Sequence, residues 1–217
     1  MSSSKQALSP QEFDALATAA VAAPSPDNSQ PWVLHRETDA LRIEVCPSHE
    51  MFFDYAGWAS EMSLGAAVEN VLATAPNLGL ESAVELQSTE RGSRRARIRF
   101  QRPWHTESSA HHEAVLTRQT HRGRFGRTPV PQDVRAKLEE ALADFSEFRL
   151  HWSHTTEARE AVIEAACGAD RVRYTHPAIH RDFHHVLRFG AAQDARRDGL
   201  AADTLGIEKF LLPSLRM

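Results

Sequence analysis

The chain has 217 residues, 41% hydrophobic and 25% charged, with ten glycines and eleven prolines. This composition suits one substantial core or two small lobes and argues against a disordered or collagenous chain. A net charge of −4 gives no general electrostatic case for nucleic acid or an anionic membrane as partner. No run of about 18 apolar residues predicts a membrane span, and the first ten residues lack the apolar stretch of a secretory signal. Cys46 and Cys167 are too few for a disulfide framework and read as buried, inert thiols in a reducing, cytoplasmic setting.

Ser9-Pro10-Gln11-Glu12 reads as a capping box with proline at the first helical position, and Phe13, Leu16, Ala17, Ala20 and Val21 recur at helical spacing. Together they predict a helix over about 10–22. The prolines of Pro24-Ser25-Pro26-Asp27-Asn28-Ser29-Gln30-Pro31 end it. Trp32–Arg36 and the alternating Leu41, Ile43 and Val45 predict two strands joined by a hairpin through Thr38-Asp39. A second helix is expected over about 58–75, closed by Asn77-Leu78-Gly79-Leu80. A further strand pair follows at Ala83–Leu86 and Ala96–Phe100.

Residues 102–112 form the best internal boundary, separating a first half (1–101) from a more helical second half (113–217). A helix is predicted from Pro131, a strand over Phe148–Trp152, and helices near 156–166 and 177–189. The tail from Arg197 to Met217, with Asp198-Gly199-Leu200, fits no clear element.

Two stretches carry chemistry. The loop from Pro24 to Pro31 is stiff and turns small hydroxyls and the carboxamides of Asn28 and Gln30 outward. Carboxamides offer donor and acceptor together and suit a flat heterocycle; the plain alternative is a turn satisfying its own backbone. In Arg118-Gln119-Thr120-His121-Arg122-Gly123-Arg124-Phe125, an extended backbone would put Arg118, Thr120, Arg122 and Arg124 on one side. That side could cradle a phosphate, or it could be a solvated arginine-rich linker. Arginine makes up 22 of the chain's 25 cations, a bias that suggests a GC-rich bacterial genome.

Other clusters read as structural. His176, His180 and His184 follow one another at helical spacing with His185 beside them. Their directions drift off the apolar face, and Pro177 can start the helix after His176, so a partly buried stripe is expected and no metal site. Arg97 and Arg99 alternate with Ala96, Ile98 and Phe100, as on the wet face of a half-buried strand.

Ala23-Pro24-Ser25-Pro26-Asp27-Asn28-Ser29-Gln30-Pro31-Trp32 resembles the Pro-Ser-x-x-Asn-x-Gln-Pro-Trp motif of the nitroreductase family. Arg118-x-Thr120-x-Arg122 resembles that family's Arg-x-Ser-x-Arg/Lys head, and Leu64-Gly65-Ala66 through Leu78-Gly79-Leu80 looks like its Gly-x-Ala helix. Ordinary members carry the arginine head first. The reversed order here is similar to the Acg-like branch, in which two halves in one chain mimic the usual homodimer.

The resemblance implies an α+β fold with a mixed or antiparallel sheet flanked by helices, and a second half that is incomplete in this sequence. It implies an FMN-dependent oxidoreductase driven by NAD(P)H, acting on small electron-poor acceptors such as nitroaromatics or quinones. A flavin-sequestering or regulatory protein without turnover is the alternative. Arg118, Arg122 and Thr120 would hold the FMN phosphate, and Pro24, Ser25 and Asn28 would lie along the isoalloxazine, with Asn28 at its N5/O4 edge. Gln30 would touch the flavin or pin the loop, Trp32 would belong to the core, and no side chain need act as nucleophile. The partners implied are a small-molecule substrate and a homodimer mate or another chain completing the sheet.

Overall fold

A computed structural model describes residues 7–46, 54–88, 94–103, 107–123, 125–126, 128–190 and 198–205. Arg124, Arg197 and the tail beyond 205 lie outside the described residues. The fold is α+β, with a four-stranded antiparallel sheet and, among the described residues, six α-helices. Contacts divide the chain into two compact units, 1–122 with 181–217, and 123–180.

In the first unit, α1 (Pro10–Val21) begins as the sequence predicts. The Ser9 hydroxyl accepts from the Glu12 amide at 3.2 Å, and the Glu12 carboxylate accepts from the Ser9 amide at 2.8 Å. Strands β1 (Trp32–Arg36) and β2 (Ala40–Val45) form the expected hairpin. After α2 (Trp58–Thr74), Gly79 turns the chain at φ 70° into β3 (Glu81–Ser88) and β4 (Arg94–Gln101). Sheet order is β1-β2-β4-β3, so β4 pairs with both β2 and β3.

Period-two alternation decides which side of the sheet is dry. Leu41, Ile43, Ala96 and Ile98 are fully buried and pack with Leu16, Ala20, Leu64, Ala67 and Val71 of the two helices. The opposite face carries charge. Arg42 and Arg97 stand directly across from one another in the ladder, where like charges destabilise. Glu37 bridges them, its two carboxylate oxygens lying 3.3 Å from Arg42 Nε and 2.6 Å from Arg97 Nε.

The expected linker at 102–112 leads straight into α3 (His112–Thr117). Val115 buries with Ala19 of α1 and Ala73 of α2, so the first compact unit runs on to Arg122. A smaller cluster in this unit joins Phe183 and Val186 of α6 (Pro177–Val186) to Leu187 and Leu200. Those leucines belong to a parallel two-residue pair, β5 (Leu187–Arg188) with β6 (Leu200–Ala201).

The second unit holds α4 (Gln132–Ala141) and α5 (Thr156–Thr175), neither of which buries a residue. The Trp152 indole donates to Glu139 at 2.7 Å, with the Arg135 guanidinium 6.0 Å from its ring centre. The strand expected over Phe148–Trp152 is absent: this segment is irregular, and Phe148 and Leu150 are exposed. Cys167 is exposed and Cys46 only half-buried, which corrects the expectation that both are buried. The reason for Cys167 lies in α5, whose apolar residues find no core.

Two measurements follow from this packing. The Arg97 hydrogen bond leads the influences that hold the Glu37 carboxyl below its ordinary range. A depressed folded-state value contributes stability above the unfolded pKa of about 4.3 and loses it as pH falls through the folded value. Glu37→Gln should therefore flatten the acid side of a urea-midpoint profile between pH about 6 and about 3. In α2, a Cβ built on exposed Gly65 meets nothing within 4 Å. Gly65→Ala should raise unfolding stability by roughly 0.5–1 kcal/mol in urea titration through helix propensity.

Candidate functional site

The loop after α1 is held by backbone and hydroxyl bonds and not by prolines alone. Helix α1 stops at Val21, and Ala23 buries in the core. A tight turn over Pro26–Asn28 follows. Its amide bonds run from Asn28 to the Ser25 carbonyl at 3.0 Å and from Ser29 to the Pro26 carbonyl at 2.8 Å.

Asp27, Asn28 and Gln30 all have left-handed backbones, with φ of 48°, 55° and 48°. Asp and Asn visit this region at modest cost; Gln does so less readily. Gln30 is secured at both ends: its amide donates to Ser25 Oγ at 3.0 Å, and its carbonyl accepts from Trp32 at 2.8 Å. Pro31 and Trp32 then enter the core, as expected for Trp32. The buried Trp32 indole N–H has no hydrogen-bond partner among the described residues.

The arginine segment reaches this loop through α3. With Val115 fixed against Ala19 and Ala73, Arg118 emerges one turn later as the C-cap, its amide on the Ala114 carbonyl at 2.9 Å. Its guanidinium donates from Nη2 to the Ala22 carbonyl and from Nη1 to Thr120 Oγ1, both at 3.2 Å. Ala22 and Arg118 are 96 residues apart in sequence, and Ala22 sits at the root of the proline-rich loop. Arg118 and Thr120 are exposed, while Arg122 is half-buried.

Of the residues singled out from sequence, Arg118 is thus bonded both to Thr120 and to the base of the loop that carries Pro24, Ser25, Asn28 and Gln30. Pro24 is exposed, and Ser25 through Gln30 are half-buried. Among the described residues, no hydrogen bond joins Arg122 to the others. Histidine 176 caps α5 and is outside the register of α6. No cluster of three His, Cys, Asp or Glu side chains among the described residues is arranged to hold a metal ion.

The sequence reading missed one participant. Gly199 donates its amide to the Asn28 carbonyl at 2.8 Å, and Asn28 Nδ2 donates to the Gly199 carbonyl at 3.0 Å. The available signal was Asp198-Gly199, a dipeptide typical of turns, but nothing in the sequence said which loop it would meet.

No family model matches the chain. Over 177 residues it is 31% identical to an uncharacterized protein, MT1398, of Mycobacterium tuberculosis (strain CDC 1551 / Oshkosh). That stretch makes up 80% of this chain but 24% of the relative, so the match spans about a quarter of the length of that protein.

The Ser25 hydroxyl is the simplest test of the loop. Ser25→Ala should cost about 1 kcal/mol of stability and speed hydrogen exchange at the Gln30 amide. Exchange at Ile43 and Ile98 in the central strands should stay unchanged.

Proposed function

We propose that the chain is an FMN-dependent oxidoreductase of nitroreductase type, Acg-like in the order of its motifs, that uses NAD(P)H to reduce small electron-poor molecules such as nitroaromatics or quinones. One observation carries the reading: Arg118, at the head of the arginine segment, is hydrogen-bonded at the root of the proline-rich loop. Two motifs distant in sequence therefore adjoin, as they must to contact opposite ends of one flavin.

The donor chemistry fits FMN. Two guanidiniums and a hydroxyl, from Arg118, Arg122 and Thr120, match a phosphate dianion by charge and by hydrogen-bond donors. The bonds from Arg118 to Ala22 and Thr120 use two of its five N–H groups. Beside them lies a half-buried loop whose carboxamides and hydroxyls suit the polar edge of an isoalloxazine. When bound, the flavin supplies hydride acceptance and delivery. The chain's own residues would anchor and orient it: Arg118, Arg122 and Thr120 at the phosphate, Ser25 and Asn28 along the ring edge, and Gln30 by pinning the loop through Ser25.

A second reading, flavin sequestration without turnover, is favoured by the segment at Gly199, which sits on Asn28. Spectroscopy separates the two. Purified protein is expected to be yellow and to bleach anaerobically with NAD(P)H, then recover colour when a nitroaromatic or quinone is added. Colour without bleaching would assign the sequestering role, and protein that neither carries nor binds FMN would refute both. The double variant Arg118→Ala/Arg122→Ala should weaken FMN binding by about 3 kcal/mol, roughly 100-fold, measured by flavin fluorescence titration. Unchanged affinity would remove the phosphate assignment.

A further inference from the structure

Asn28 exchanges two hydrogen bonds with Gly199. Besides the loop's own bonds, whatever fixes Gly199 therefore restrains the loop at Asn28. That residue has φ 75°, and a Cβ on it would fall 2.3 Å from the Val186 carbonyl oxygen and 2.8 Å from Arg188 Cζ. No side chain fits there, so the backbone of 198–200 lies flush against Arg188.

Arg188 is only 7% exposed, and buried guanidinium is costly unless its donors are satisfied. Here they are. Nε and Nη2 form a two-pronged pair with Asp198 at 3.3 and 2.8 Å, and Nη1 donates to the carbonyls of His185 at 2.7 Å and Leu187 at 3.1 Å. The carbonyl bonds tie the guanidinium to the end of α6, and the fork ties Asp198 to the guanidinium. Pairing of Leu187 with Leu200 and of Arg188 with Ala201 adds only two residues of strand on each side. The ion pair is thus a buried polar link between the end of α6 and the segment that grips Asn28.

We propose that the Arg188–Asp198 pair is a positioning clamp: through Gly199 it fixes the Asn28 carboxamide and holds the proline-rich loop in its left-handed form. Its consequence for FMN rests on the functional reading above, whereas the clamp itself is a property of the protein without flavin. Arg188 and Asp198 are positioning residues and need not touch the cofactor.

The test is made first on flavin-free protein by amide hydrogen exchange. Asp198→Asn keeps the shape of the side chain and removes its charge. It should lower protection of Gly199 and Asn28 amides at least tenfold while leaving Ile43 and Ile98 unchanged, and Asp198→Glu should recover part of the loss. If Asp198→Asn disturbs the central strands as well, Arg188→Met/Asp198→Leu removes both charges while keeping bulk, and the same selective loss is expected. On flavin-loaded protein, Asp198→Asn should weaken FMN binding about tenfold and alter the visible circular dichroism of the bound flavin, a signal that mere loss of stability would not change. Gly199 protection that survives both the single and the double change would overturn the clamp. Loss of protection in a parent that binds no FMN would leave the clamp standing and overturn the flavin reading instead.

Discussion

Close approach of two alanine-rich helix faces is the constraint on which the site depends. Ala19 and Ala20 of α1 lie against Ala67, Val71 and Ala73 of α2, nearly all without solvent exposure. Small side chains let the helix axes come near, and the Asn70 amide reaches across to the Ala19 carbonyl at 2.9 Å. The seam leaves a shallow place for one more side chain, which Val115 of α3 occupies. Once Val115 is seated, helical geometry brings Arg118 over the end of α1. A larger residue at Ala19 or Ala73 would lift α3 and carry the guanidinium away from Ala22.

Much of the first unit was legible because its signals are local and mutually consistent. Ser9 through Glu12 spell out a helix start, Leu41-x-Ile43-x-Val45 can bury only one face of a strand, and Gly79 supplies the left-handed turn after α2. The α+β class and the hairpin through Thr38-Asp39 follow from such patterns. The pairing of β2 with β4 does not: strand order depends on which edges meet, and single-strand alternation says nothing about that.

The second unit read less well for the opposite reason. Phe148 to Trp152 has the aromatic and apolar content of a strand, but a strand needs a partner to receive its amides, and this segment has none among the described residues. Its tryptophan is committed to Glu139 instead. Cys167 follows the same logic, since a small apolar residue is buried only when its helix face is covered. In the candidate site, residue identities were readable and mutual contacts were not. Nothing in the sequence forecast that Ala22 would offer its carbonyl to Arg118, because an alanine's backbone carries no signature.

Strain in the proline-rich loop is best understood residue by residue. Three consecutive left-handed non-glycine residues would be expensive, at about 1–3 kcal/mol for each unfavourable position, but the chain places Asp27 and Asn28, the types that tolerate this backbone, at two of the three sites and separates the third with Ser29. The cost therefore concentrates at Gln30, and the bonds concentrate there too: Ser25 Oγ takes its amide and Trp32 occupies its carbonyl. Pro31 follows, disfavouring the right-handed helical alternative for Gln30, and Trp32 anchors the exit in the core. Asn28 is secured within the loop by its amide on the Ser25 carbonyl and also from outside it, by Gly199. A loop restrained both from within and from without loses little entropy on meeting a ligand. The external restraint is also the only one of the two that a change elsewhere in the chain can loosen without altering the loop's own residues, which makes Asn28 the point at which the 198–200 segment can act on the site.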